Sequence, residues 1–129
     1  MKPTGSVSCL LALAACHLLL VACTSPSSPT VIVDPITIDS VSVQLSGDPA
    51  RPVARVRGVV GDGCSSLHSV SQTRAGSAVT VTILRERPKD AICTQLAKLY
   101  DERIPLDGSF PPGRYTLRVN AFETAFETS

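Results

Sequence analysis

Charge of one sign is what this sequence lacks first. Its 129 residues carry 12 Lys and Arg against 11 Asp and Glu, for a formal net charge of +1. That balance excludes a strongly basic nucleic-acid binder and a long-range steering field. Histidine occurs twice, as His17 and His68. No Ser-His-Asp order assembles around His68 without forcing, and Ser65, Ser66 and Ser69 read as ordinary loop and strand serines. No glycine-rich phosphate loop is present, because Gly61-Asp62-Gly63 lacks the Lys and the helix that such a loop needs. No acidic cluster supplies the roughly six oxygen ligands of a Ca²⁺ site, so Asp62 reads as a turn former. Asp101, Glu102 and Asp107 are close in sequence, yet nothing sets a pair at the roughly 5–9 Å that glycoside hydrolysis requires. No cofactor is expected. Aromatics are scarce too, with three Phe, two Tyr and no Trp. Val, Ile and Thr are plentiful, which favours strands, and the length allows one domain.

The N-terminal segment has a different character. A short polar stretch with Lys2 leads into an apolar run over residues 10–21, broken only by His17. Twelve residues suit the apolar region of an export signal and are too few to span a bilayer as a helix. The run ends in Leu20-Val21-Ala22-Cys23, which resembles the lipobox of bacterial lipoproteins. The resemblance implies cleavage after Ala22 and a thioether-linked diacylglycerol on Cys23, so that acyl chains hold the protein in a lipid bilayer. Two or more chains make such an anchor durable. The rival reading is an ordinary cleaved signal with an incidental Cys. Residues 1–22 are thus expected as signal, 23–38 as lipidated Cys and flexible tether, and 39–129 as the folded domain. The location implied is the extracytoplasmic side of the cell envelope. Thr24 stands where an inner-membrane retention signal has Asp. The outer membrane is therefore favoured in a two-membrane host, and the outer leaflet of the cell membrane otherwise.

Of the five cysteines, Cys9 and Cys16 leave with such a signal and Cys23 is taken by lipid. Cys64 and Cys93 remain, an even pair in an oxidising compartment, and read as one disulfide. Metal ligation and a redox pair are the rivals. Two isolated Cys and one His do not complete a tetrahedral site, and no Cys-x-x-Cys occurs.

Period-2 patterning runs from residue 40 onward. Seven strands are predicted. Residues 40–45 place Val41, Val43 and Leu45 on one face. Residues 53–60 place Ala54, Val56, Gly58 and Val60 opposite Arg55 and Arg57. Strands over 67–73 and 78–85 follow, the latter with Val79, Val81 and Ile83 inward. Residues 90–98 read as a short helix capped by Asp90, or equally as an irregular crossover carrying Cys93. The fifth strand, 100–106, aligns Tyr100, Ile104 and Leu106 with an awkward Glu102. The last two are 114–120, with Tyr115, Leu117 and Val119 inward, and 122–128, with Phe122 and Phe126 inward. Asn120-Ala121 between them reads as a tight turn. Short strands joined by turns indicate an all-β fold, a single antiparallel β-sandwich, with a small barrel as the alternative.

Pro112-Gly113-Arg114-Tyr115-Thr116-Leu117-Arg118-Val119 resembles the start of a late strand in immunoglobulin-like domains, where the Tyr hydroxyl pins a sandwich corner. The chain departs from antibody-type domains in lacking a core Trp and in placing Cys64 beyond its second strand. A wider resemblance, over about residues 40–128, is to secreted bacterial domains that follow a lipoprotein signal with a single two-Cys sandwich. It implies fold and disulfide and no mechanism.

The surface feature that recurs is basic. Arg55, Arg57, Arg114 and Arg118 point outward by parity, and Arg85, Arg87 and Lys89 cluster at a strand end. They read either as a solvated face or as a patch for anionic headgroups, glycans or an envelope protein partner. The expected function is a non-catalytic, membrane-anchored binding or accessory domain. The alternative is a protease inhibitor presenting residues 85–91 as its loop.

Overall fold

The computed structural model describes residues 28 and 30–129. The signal over residues 1–22, the lipobox with Cys23, and positions 24–27 and 29 of the expected tether lie outside them. The described chain is all β: β1 (Val31–Pro35), β2 (Thr37–Ser46), β3 (Arg51–Gly61), β4 (Ser66–Ala75), β5 (Ala78–Pro88), β6 (Lys98–Pro105), β7 (Gly113–Val119) and β8 (Phe122–Thr128).

These strands make two sheets. One runs β2-β3-β6. The other runs β1-β5-β7-β8, with β4 on the opposite edge of β5. Inward positions recur every second residue, as a pleated strand requires. Val79, Val81 and Ile83 of β5 and Tyr115, Leu117 and Val119 of β7 pack with Ala54, Val56 and Val60 of β3 and with Tyr100 and Ile104 of β6. The sandwich and its inward faces follow the alternation in the sequence. Burying each of the larger aliphatic side chains contributes about 1.5–3 kcal/mol over leaving it exposed.

Four features depart from the sequence reading. The first is β1, an eighth strand inside the stretch expected as tether. Val31–Pro35 pairs antiparallel with Pro88–Leu84 of β5, so the sandwich takes in residues 31–35 of the stretch expected as tether. Four of its five residues are exposed. A strand held by its ladder and not by a buried face carries no alternating signal. The second is the β5–β7 pair, which is parallel, from Ala78↔Thr116 to Val81↔Val119. The sandwich is therefore mixed and not purely antiparallel. β1 and β7 share one edge of β5 end to end, which hydrophobic parity does not specify. The third is β2, where Val41 and Val43 pack on the core but Leu45 is 44% exposed. The fourth is the segment after β5. Residues 91–97 have no regular structure, so the irregular crossover holds and the helix does not.

Glu102 has inward parity yet is exposed. β6 is an edge strand, and its carboxylate stays in water where a central strand would bury it.

Candidate functional site

β3 and β5 end at the same end of the molecule, where β4 and β6 begin. There the turn over residues 61–65 meets the loop over residues 89–97. Gly61 starts the turn at φ +148°, in the region that favours glycine. Cys64 and Cys93 are joined as a disulfide, with Cα atoms 5.4 Å apart. The Gly63 N–H donates to the Thr94 carbonyl at 2.9 Å, and a Cβ on Gly63 would collide with the Thr94 side chain. The turn and the loop thus lie against each other through backbone as well as sulfur.

Asp62 is the hub of this end. Its Oδ1 accepts from the Cys64 N–H at 3.1 Å and the Ser65 hydroxyl at 3.0 Å, while Oδ2 accepts from Arg87 Nε at 2.9 Å. Burial would raise the Asp62 pKa. The bonds from Arg87, Ser65 and the Cys64 amide outweigh it, and the net shift is below the ordinary 3.8. Ser65 is fully buried, and its carbonyl accepts from Lys98 Nζ at 2.8 Å. Arg85 Nη1 donates to the Val60 carbonyl at 3.1 Å, and its Nη2 lies 3.9 Å from Asp34. Arg85 Nε is buried without a partner.

Arg85 and Arg87 are therefore internal clamps of the sandwich end. Arg55 and Arg57 lie on β3, in the other sheet. Arg55 Nε and Nη2 grip both Asp101 oxygens at 3.0 and 2.9 Å, and Arg57 Nε lies 3.6 Å from the same carboxylate. The hydrogen bond from Arg55 is the main reason Asp101 titrates below the ordinary value; burial opposes it, and the fields of Arg55, Arg57 and Arg103 assist. The basic residues are thus split between the two sheets, and most already hold acceptors of this chain. Lys89 is exposed beside an exposed Asp90. His68 is half-exposed, with Nδ1 3.0 Å from Glu86 Oε2.

The residues at 85–88 lie within β5, so the segment 85–91 is not an open loop. The open loop starts at Lys89. From it, and from the start of β6, project Ile92, Leu96 and Leu99, which are 102%, 77% and 79% exposed. Their i, i+4, i+7 spacing is that of a helical stripe, a signal the sequence reading did not extract. With no helix formed, the three side chains stand in water. Lys89 N–H donates to the Thr30 carbonyl at 2.9 Å, so the loop leaves the sandwich directly beside the point where the described chain enters it.

Asp62, Cys64 and Cys93 place ligand-type atoms within 4.8 Å of one another. Both sulfurs are consumed by the disulfide and offer no thiolate, so this group does not make a metal site. A groove of about 660 Å³ lies where β1 meets β2, lined by Pro35, Ile36, Ile38, Thr82, Arg118 and Asn120 among others. Of these, only Arg118 carries charge. The groove offers apolar wall and hydroxyls, and no acid–base pair.

A family model described as the ORF11 beta-sandwich domain matches residues 54–128, from within β3 to the end of β8. Two Herpetosiphon aurantiacus proteins are similar to this chain. The "uncharacterized 10.2 kDa protein in HgiBIM 5′ region" is 33% identical over 72 residues, 56% of this chain and 88% of that protein. The "uncharacterized 10.2 kDa protein in HgiCIIM 5′ region" is 31% identical over 84 residues, 64% of this chain and 89% of that protein. No solved structure matches.

Proposed function

The chain belongs to the ORF11 beta-sandwich domain family, and from that premise we propose that it is a membrane-anchored, non-catalytic binding or accessory domain of the bacterial cell envelope. Acyl chains on Cys23 hold it on the extracytoplasmic side, and the sandwich presents its loops to an envelope protein or glycan. The observation that supports this reading is the short stretch of sequence between Cys23 and the first strand at Val31. The Thr30 carbonyl is bonded to Lys89, so the described fold is joined only seven residues after Cys23 in the sequence. The non-catalytic part is supported by how Asp62, Arg85, Arg87 and Lys98 are used, since each bonds a partner within the chain. An acid–base catalyst needs such a group turned toward a bound substrate.

Expression with the chain's own N-terminus in a bacterial host, followed by intact mass and detergent-phase partitioning, tests the reading. The expected result is a diacylglycerol-modified Cys23 in the detergent phase, and a Cys23→Ser protein that leaves it. An unchanged membrane fraction in Cys23→Ser overturns the anchor. The inhibitor reading would have to use residues 89–97, which are pinned at Cys93. Stoichiometric inhibition of a serine or cysteine protease by the purified protein would replace the binding-domain reading with that one.

A further inference from the structure

We propose that the disulfide end of the sandwich is a membrane-seating face: Ile92, Leu96 and Leu99 rest in the membrane–water interface of the bilayer that holds the anchor. The inference rests on the lipid-anchored reading above and adds the orientation of the domain and a second, non-covalent contact with the lipid.

Three large apolar side chains within eight residues, at 102%, 77% and 79% exposure, are apolar surface that water penalises and a partner would cover. The segment that carries two of them is braced. The disulfide at Cys93 and the Gly63–Thr94 backbone bond fix it to the turn over residues 61–65, and the Arg87–Asp62 pair ties that turn to β5. A braced loop does not fold back to bury its own side chains. It holds them outward at little further entropic cost on binding.

What covers the patch follows from where the chain enters. Thr30 is bonded to Lys89, and Val31 pairs with Pro88, so the entry point and the loop root are neighbours. Cys23 precedes Thr30 by seven residues in the sequence. At ~3.6 Å per residue, that length reaches about 25 Å at most, whatever path it takes. The polar headgroup zone is itself roughly 5–8 Å deep on each side of the hydrocarbon. The loop root is thus held within a short radius of the headgroups. The opposite end of the sandwich lies one strand length away. β5 has 11 residues, which at ~3.3 Å each set the turn at Gly76 about 36 Å further out. Val31 and Val33, 47% and 42% exposed, extend the apolar surface at the entry end.

Charge takes a minor part. Lys89 and Asp90 are adjacent and both exposed, and Lys98 is bonded to the Ser65 carbonyl. The seat is therefore apolar insertion, insensitive to salt, and not attraction to anionic lipid. With this end on the bilayer, the loops at the far end face outward to any protein or glycan partner.

The chain contains no Trp, so one introduced Trp reports alone. The lipidated full chain is reconstituted in vesicles of phosphatidylethanolamine and phosphatidylglycerol, with and without lipid brominated on its acyl chains. Leu96→Trp is compared with Ser77→Trp at the far end. The expected result is a blue-shifted Leu96→Trp emission, quenched several-fold more by brominated lipid than that of Ser77→Trp, and unchanged by high salt. Equal, weak quenching at both positions in vesicle-bound protein overturns the seating face and leaves the lipoprotein reading standing. An unmodified Cys23 with no vesicle binding overturns both. A blue shift that grows with protein concentration and ignores the quencher assigns the patch to a second copy of the chain, and overturns the proposal.

Discussion

Asn120 and Ile83 are joined through both ends of one side-chain amide. The Ile83 N–H donates to Asn120 Oδ1 at 2.9 Å, and Asn120 Nδ2 donates back to the Ile83 carbonyl at 3.0 Å. The same Nδ2 reaches the Ile36 carbonyl at 2.9 Å, and the Asn120 N–H donates to the Val81 carbonyl at 3.1 Å. β1 and β7 lie end to end on one edge of β5, and a gap between their ends would leave backbone groups of β5 unpaired. The Asn120 amide fills that rung as a strand would. The residue sits at φ +50°, which Asn tolerates better than most side chains.

Asn120→Ala should therefore cost about 2–4 kcal/mol, since it removes the amide's bonds to the β5 backbone at Ile83 and to the Ile36 carbonyl. Asn120→Gly relieves the backbone but still loses the amide, so it should recover only part of that loss. Asn120→Asp keeps the acceptor and sets an oxygen against two carbonyls, and should be no better than Ala. Denaturant melts of the three rank them. A wild-type midpoint for Gly would mean that only the positive φ matters.

Tyr115 packs in a cluster with Phe110 and Phe126, at ring centroid distances of 5.1 and 5.3 Å. Its hydroxyl donates to the Pro111 carbonyl at 2.7 Å, and the Thr128 hydroxyl donates to the same oxygen at 2.7 Å. Tyr115→Phe should cost roughly 1 kcal/mol for the lost bond. Tyr115→Ala should cost about 3–5 kcal/mol through the cavity. A double-mutant cycle of Tyr115→Phe with Thr128→Val measures whether the shared acceptor couples the two. A Tyr115→Ala protein as stable as wild type would contradict the packing.

The Cys64–Cys93 bond closes a separation of 29 residues. Cys93→Ala should destabilise by about 2–5 kcal/mol. The loss should fall first on the loop over residues 89–97, which the bond braces. Hydrogen exchange in the mutant should rise there and at Gly63 before it rises in β5 or β7. Uniform exchange across the domain would mean that the disulfide supports the whole sandwich equally.

Acid should weaken this end in a defined window. Asp62 and Asp101 both have folded pKa values below the ordinary 3.8. A lowered folded pKa means the ionised form is held more strongly in the fold than in the open chain. The stability it contributes is complete above about pH 4 and is lost as pH falls through the lowered folded values. Arg87→Gln removes the charged donor to Asp62 and should raise that pKa, moving the acid loss to higher pH. Carboxyl titration by NMR in wild type and variant reads both. An Asp62 pKa that stays put in Arg87→Gln would assign its depression to Ser65 and the Cys64 amide.

The alternation of Val79, Val81 and Ile83, and of Tyr115, Leu117 and Val119, was legible because each pattern lies within one strand and a pleat has period two. The disulfide was legible because cysteine arithmetic left one pair. β1 was not legible, since Val31–Pro35 is held by a partner about fifty positions along the chain and buries no face. The basic surface misled for a related reason. Parity says that Arg55 and Arg57 leave the core; it does not say that Asp101, on the neighbouring strand, waits for them.

The sequence by itself determined a two-layer β domain, the inward residues of its central strands β3, β5 and β7, and the Cys64–Cys93 cross-link, because these follow from local periodicity and from counting. Tertiary structure alone decided that β7 runs parallel to β5, that Asn120 joins β5 to Ile36, that Arg85 and Arg87 hold a carbonyl and a carboxylate of this chain, and that the loop carrying Ile92 and Leu96 is rooted beside the chain's entry at Thr30. Each of these is a contact between segments far apart in the chain. Such contacts are set by how two sheets close over one core, and no window of neighbouring residues encodes that.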